Sequence, residues 1–315
     1  MKQKILLGIS SCLLGNEVRY DGGHKRDRYV TDTLSEYFEF TAYCPETAIG
    51  LGIPRPTIKL ALVDDQVRLV DSKDTSLDYT DLMASAASSY SQLLTDISGY
   101  ILKSKSPSCG MERVKLYESD TKVSSEGVGR FAHALMEQQP CLPIEEEGRL
   151  NDAKIRENFI ERVFAYHRWL QMFNDELTTA RLMDFHRQHK LTLLAHNEKL
   201  YRQMGPLVAG ANAENLPETA NRYLELFTEA MKTQASRNTH INVLQHIMGY
   251  LKQDLDSDDK AELIEIFDKY KSGEIPLIVP ITLLRHHFRK HPDDYINEQV
   301  YLNPYPEELM LRNHV

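Results

Sequence analysis

An α/β amino-terminal half with a mainly parallel sheet, followed by an all-α carboxyl-terminal half, is the fold this sequence predicts. Three observations predict it. Up to about residue 150, short apolar segments alternate with helical ones, the pattern of strands joined by crossover helices. Beyond Asn151 the strand-like segments stop, and apolar residues recur at helical spacing. Three of the early apolar segments also run directly into turns that carry a cysteine.

The elements follow in order. Ile5-Leu6-Leu7, Phe38 to Tyr43 and Tyr100-Ile101-Leu102 read as strands. After them come Ser10-Ser11-Cys12-Leu13-Leu14-Gly15, Cys44-Pro45-Glu46 and Ser106-Pro107-Ser108-Cys109-Gly110, rich in the turn formers Ser, Pro and Gly. Ile58 to Val63 and Val67 to Val70 flank Asp64-Asp65-Gln66 and predict a hairpin. Asp81 to Ile97 and Gly129 to Gln139 predict helices, the second broken by Pro140-Cys141-Leu142-Pro143, with Val114 to Glu118 a strand between them. Asp152 to Phe173 predicts a long helix with its apolar face at Ile155, Phe159, Val163, Tyr166 and Leu170, capped by Asn151 or Asp152. Further helices are expected over 176–188, 191–204, 217–234, 238–254, 259–271 and 280–290. Gly205-Pro206, Gly210 and Gly273 to Pro276 supply the stops. The expected domains are 1–150 and 151–315, consistent with roughly 100–200 residues per domain.

Composition narrows the function. Hydrophobic residues make up 42% and charged residues 26%, ordinary for a globular chain. A net charge of −9 argues against coating nucleic acid as the main task, and leaves room for a local basic pocket. No apolar run approaches the ~18 residues of a membrane span, and Met1-Lys2-Gln3-Lys4 has no signal-peptide pattern. A cytoplasmic protein is expected, where four cysteines are unlikely disulfide partners. No phosphate-binding glycine loop and no His-Glu-x-x-His occurs.

Three cysteines leaving three strand ends could converge on the crevice where open α/β sheets bind ligands. Cys12, Cys44 and Cys109 would be one ligand short of closing a tetrahedral Fe–S or zinc site, so an open coordination position would remain. Cys141, between two prolines in an apolar stretch, reads as core packing. Glu46 follows Cys44 by two positions, and Ser104, Ser106 and Ser108 precede Cys109; these groups suit acid/base work and hydrogen bonding. Asp21, in a Gly-rich turn, and Arg55 are candidate substrate contacts, while Arg19 and Lys59 are better read as surface charges. The histidines of the second half, His186 and His189 among them, read as structural.

The set Ser11-Cys12-Leu13-Leu14-Gly15, Val18-Arg19-Tyr20-Asp21-Gly22, Cys44-Pro45-Glu46, Gly50 to Arg55 and Ser106 to Gly110 resembles the bacterial thiouracil desulfidase family. His240 to Tyr250 and Leu311-Arg312-Asn313 look like the helical domain appended to its longer members. The resemblance implies a [4Fe–4S] cluster held by Cys12, Cys44 and Cys109, with one iron not bound by protein and able to take a thiocarbonyl sulfur. It implies a non-redox reaction in which thiouracil and water give uracil and hydrogen sulfide. It assigns the catalytic acid to Glu46 and the catalytic serine to Ser106, with Ser108 the alternative. The expected substrate is a small thiolated pyrimidine, 2-thio or 4-thio, as free base, nucleotide or part of RNA; no membrane partner is expected, and the oligomeric state stays open. A non-catalytic iron–sulfur sensor with a helical partner-binding domain is the competing reading. A three-cysteine zinc hydrolase is weaker, since only His24 and His133 lie in the first domain.

Overall fold

The computed structural model describes residues 4–92, 94–118, 121–174 and 176–314. The expectation about Met1-Lys2-Gln3 and the part of the expected 81–97 helix at Leu93 lie outside the described residues. The chain divides into two compact units, Met1–Asn151 and Asp152–Val315.

The first unit runs β1 (Ile5–Ser10), β2 (Phe38–Tyr43), α1 (Pro45–Ala48), β3 (Ile58–Val63), β4 (Gln66–Asp71), α2 (Thr80–Ser91), β5 (Tyr100–Leu102), β6 (Val114–Glu118), β7 (Thr121–Gly127), α3 (Arg130–Gln138) and β8 (Ile144–Glu146). One sheet, in the order β2-β1-β5-β8, is parallel throughout. The second, β4-β3-β6-β7, joins two antiparallel hairpins through a parallel β3–β6 pairing. The α/β class is as expected, while the second sheet is larger than the single hairpin the sequence predicted.

β1 reads as a buried parallel strand because both its faces are covered, with Leu7 and Ile9 buried on one and Gly8 and Ser10 on the other. Gly8 is required there: a Cβ would lie 2.3 Å from the buried Tyr100 ring on the neighbouring strand. Tyr43, at the end of β2, stacks on Tyr90 of α2 with ring centroids 3.7 Å apart. The helix predicted to reach Ile97 ends at Ser91. Its continuation is drawn off to feed the parallel sheet, where the Ser98 N–H donates to the Leu6 carbonyl at 2.8 Å.

The second unit is helical among its described residues: α4 (Ala153–Asn174), α5 (Thr179–His196), α6 (Glu198–Ala209), α7 (Leu216–Lys232), α8 (Arg237–Tyr250), α9 (Ser257–Ser272), α10 (Ile278–Lys290) and α11 (Asp294–Asn297). The expected break between 188 and 191 is absent, because Leu182, Phe185, His186, His189 and Leu193 bury one continuous face of α5 across it. The break falls at Asn197, whose side chain accepts from the Leu200 N–H and caps α6. Gly205-Pro206 does not stop α6; the proline lies in the last turn, and the helix ends at Gly210. One core gathers Trp169, Phe185, Tyr223 and Phe227, and another Val243, Leu244, Phe267 and Leu284. No helix among the described residues is long and apolar enough to cross a membrane.

The helical unit also holds a buried ionic network. His196 Nε2 stands 3.0 Å from Glu161, and its Nδ1 is 2.6 Å from the Thr233 carbonyl. Tyr305 donates to Glu157 at 2.8 Å, and Arg312 lies 3.9 Å from Glu157 and 3.8 Å from Glu161. Burial pushes Glu161 up, but the charge and hydrogen bond of His196, with Arg312, more than reverse this and hold it at about 2. Burial and the neighbouring Glu161 charge push Glu157 up to about 7. His186 and His189 are buried too, with His189 stacked on Phe185 at 4.0 Å, a core role.

Candidate active site

β2, β1 and β5 are adjacent and parallel, so their carboxyl ends lie along one edge, and the three cysteines leave from that edge. Cys12 sits in the tight turn Ser11–Leu14, closed by Gly15 at φ 95, a left-handed conformation that favours glycine. Cys44 directly precedes α1, whose first residue, Pro45, has a φ fixed for helix entry. Cys109 lies in the loop after β5. That loop docks on α3: the Pro107 carbonyl accepts from Arg130, and the Ser108 carbonyl from Phe131 and Ala132. Gly129 permits this approach, since a Cβ there would stand 2.5 Å from the Ser108 carbonyl oxygen. The Glu146 carboxylate holds the back of the loop by accepting from the Met111 N–H at 2.7 Å.

Cys12, Cys44, Cys109 and Glu46 line one cavity of about 150 Å³. Glu46 is fixed from two sides. Arg55 donates through Nε at 3.1 Å and Nη2 at 2.5 Å, both to Oε2. The Ser108 hydroxyl donates to Oε1 at 2.9 Å. Arg55 also donates to the Val18 carbonyl at 2.9 Å and the Gly52 carbonyl at 3.1 Å, and its side chain is only 4% exposed. Such a buried, multiply bonded guanidinium is a rigid brace.

The thiols suit a cationic group. Burial, then the Cys44 charge, pushes the Cys12 thiol up to about 11, with Lys103 and Arg19 opposing. Burial, then the Glu46 charge, raises Cys109 well above its ordinary value, the hydrogen bond with Ser10 opposing. Left to themselves these thiols hold their protons. A cationic metal core would supply the compensating charge that lets them ionise. Among the described residues, no three His, Cys, Asp or Glu side chains close around a single point as a ligand set for one metal ion. The three thiols instead share the wall of a cavity, and as a soft donor set they fit an iron–sulfur group.

The other sequence candidates fall as follows. Ser106 accepts from the N–H groups of Ser108 at 3.2 Å and Cys109 at 3.1 Å, shaping the cysteine turn, whereas Ser108 touches Glu46. Asp21 accepts from the Gly23 N–H, which is the main cause of its lowered pKa, and is half exposed. From that turn the cavity wall takes Arg19 and Tyr20 instead. Arg19, assigned to the surface by the sequence, is thus a wall residue, as are Ser10 and Tyr43. The Val18-Arg19-Tyr20-Asp21-Gly22 motif carried that signal, without showing which side chain turns inward.

A second hollow of about 720 Å³ adjoins the first, sharing Ile58 and Pro107 as lining residues. Lys59, Lys105, Arg113 and Lys115 line it, with no carboxylate among its lining residues. Lys59, also read as a surface charge, stands over the Tyr117 ring at 5.7 Å.

Comparison with known proteins agrees with this geometry. The family model described as 2-thiouracil desulfurase matches residues 7–147, which include all three cavity cysteines and Glu46. The chain belongs to the 2-thiouracil desulfurase family. Behind the desulfurase region, residues 190–306 match a family described as a protein of unknown function (DUF1722). The uncharacterized protein YbgA of Escherichia coli (strain K12) is 31% identical over 165 residues, covering 52% of this chain and 98% of YbgA. A solved structure, described as the [4Fe–4S]-dependent thiouracil desulfidase TudS, is 31% identical, covering 48% of this chain and 94% of that one at a TM-score of 0.39.

Proposed function

We propose that this protein is a thiouracil desulfidase: it converts a thiolated pyrimidine and water into the oxo-pyrimidine and hydrogen sulfide, without net redox change. The observation that carries this reading is the shared cavity, in which three thiols and a braced carboxylate face one small space. Cys12, Cys44 and Cys109 would hold a [4Fe–4S] cluster with one iron not bound by protein, in the reducing cytoplasm where such thiols persist. When bound, the cluster supplies a soft Lewis acid for the thiocarbonyl sulfur.

The chain's own groups handle the protons. Both protons of the attacking water end on the departing sulfur, as the C–O bond forms and the C–S bond breaks. Glu46 Oε1 would accept each of these protons in turn and pass it to sulfur, with the Ser108 hydroxyl as its hydrogen-bonded neighbour. Arg55 keeps Oε2 occupied, so the exchange belongs to Oε1. A sensor would need no carboxylate braced in this way. The adjoining basic hollow favours a substrate whose base carries phosphate, as in a nucleotide or RNA, over the free base. We assign the reaction to residues 1–150 and an accessory role to residues 151–315.

The test is sulfide release by anaerobically reconstituted protein from 2- and 4-thiouracil and from their nucleoside 5′-monophosphates. Activity on any of these supports the reaction, and a higher kcat/KM for the nucleotides that falls with salt supports the phosphate assignment. A cluster-loaded protein inert toward all of them refutes the reading.

A further inference from the structure

Two guanidiniums stand in the wall of the cysteine cavity, and their surroundings differ. Arg55 is committed to Glu46 and two backbone carbonyls. Arg19 is 23% exposed, and its partner carboxylate, Asp21 Oδ1, lies 3.8 Å from Nε, beyond hydrogen-bond distance. That same oxygen is held at 3.1 Å by the Gly23 N–H. The Arg19 guanidinium lies over the Tyr20 ring at 5.4 Å, and its charge is felt by Cys12. Arg19 is therefore a cation in the cavity wall with hydrogen-bond donors to give.

We propose that Arg19 binds the substrate by donating to the carbonyl oxygen that the thiolated pyrimidine retains on its ring. The inference rests on the reading above. A thiouracil carries one thiocarbonyl and one carbonyl, placed 1,3 on the ring. With the sulfur toward the thiols and Glu46, the carbonyl oxygen turns to another part of the wall, and a buried acceptor left unpaired is costly. Arg55, with four of its five N–H groups engaged by Glu46, Val18 and Gly52, has no pair of donors to spare for it. Arg19 has, and the contact would be charge-assisted. The role is orientation: it selects which ring carbon meets Glu46. Asp21 and Tyr20 act through Arg19 as positioning residues.

The experiment compares wild type, Arg19→Met and Arg19→Lys, each loaded with cluster and checked for an unchanged visible spectrum. The substrate is whichever free base, 2-thiouracil or 4-thiouracil, the wild type turns over faster. Arg19→Met should raise KM about 10- to 100-fold, as expected for a lost charge-assisted hydrogen bond, with a much smaller change in kcat. Inhibition by uracil should weaken by a similar factor, and Arg19→Lys should recover part of both. With 2,4-dithiouracil, which has sulfur in place of the retained oxygen, wild type and Arg19→Met should be nearly equal. An unchanged KM for the free base, an equal loss on dithiouracil, or a loss confined to nucleotide substrates would each overturn the assignment, the last by giving Arg19 to phosphate. If the wild type releases no sulfide from any thiolated pyrimidine, the functional reading itself fails. Calorimetric uracil binding then decides Arg19 alone: binding weakened in Arg19→Met supports it, and equal or absent binding overturns it.

Discussion

Glu46 in the first unit and Glu161 in the second are both nearly buried carboxylates held by a basic side chain, Arg55 and His196 respectively, and they serve opposite ends. Glu46 is braced on one oxygen by Arg55, while its other oxygen meets a serine hydroxyl at the wall of a cavity. Glu161 is 4% exposed and sits among His196, Arg312 and Glu157, inside a helical core. A buried charge facing a cavity can exchange protons with what enters it. A buried charge enclosed by its partners fixes how elements pack. The difference predicts that damage to the first unit's cluster costs chemistry, and damage to the second's costs stability.

The sharpest contrast is at the thiols. Ala at Cys12, Cys44 or Cys109 should abolish the iron-dependent visible absorption and all turnover, while Cys141→Ala keeps both; metal analysis and the spectrum check this. Next comes Glu46→Gln, which should retain the chromophore and slow sulfide release about 10²- to 10⁴-fold, the usual contribution of a general acid/base. A near-normal rate in that variant would erase the distinction between the two carboxylates. Arg312→Met, in the helical unit, breaks a buried pair and should cost about 3–5 kcal/mol of that unit's stability in denaturant unfolding. Sulfide release per loaded cluster should stay at the wild-type level.

The smallest effect is a pH dependence. Glu157 is held above its ordinary value of 4.5, at about 7, by burial and by Glu161. The folded unit therefore binds more protons than the unfolded chain between those values, and this contribution to stability is lost as pH rises through about 7. Glu161 has the opposite sign: held low chiefly by His196, it stabilises above pH 4.5 and loses that contribution as pH falls toward about 2. Unfolding followed from pH 4.5 to 8 should show Glu157→Gln flattening the decline. An unchanged slope would place the titrating group elsewhere.

Much of this was legible in the sequence, for physical reasons that can be named. β2, β3, β5 and β6 were readable because apolar and β-branched residues run between turn formers, and the cysteine turns follow from Ser, Pro and Gly. β7 was not expected, since Thr121 to Gly127 is a polar, largely exposed strand. β8 was missed because Glu145 and Glu146 are buried on it, their burial offset by Arg149 at 2.7 Å and by the Met111 N–H. Spacing could bring Ser106 and Ser108 to the cysteine but could not tell turn shaper from Glu46 partner, because that contact spans 62 residues. Arg19 was assigned to the surface for the same reason. Whether a loop arginine faces solvent or a cavity depends on strands that are distant in the chain.

The account stands most directly on one measurement: the visible absorption and iron content of anaerobically reconstituted protein, recorded with sulfide release on adding thiouracil or its nucleotide. The account predicts a brown, oxygen-sensitive protein with about four irons per chain, ligated by three cysteines, that releases one sulfide for each pyrimidine converted. A colourless protein binding stoichiometric zinc, or a brown one that releases no sulfide, would contradict it.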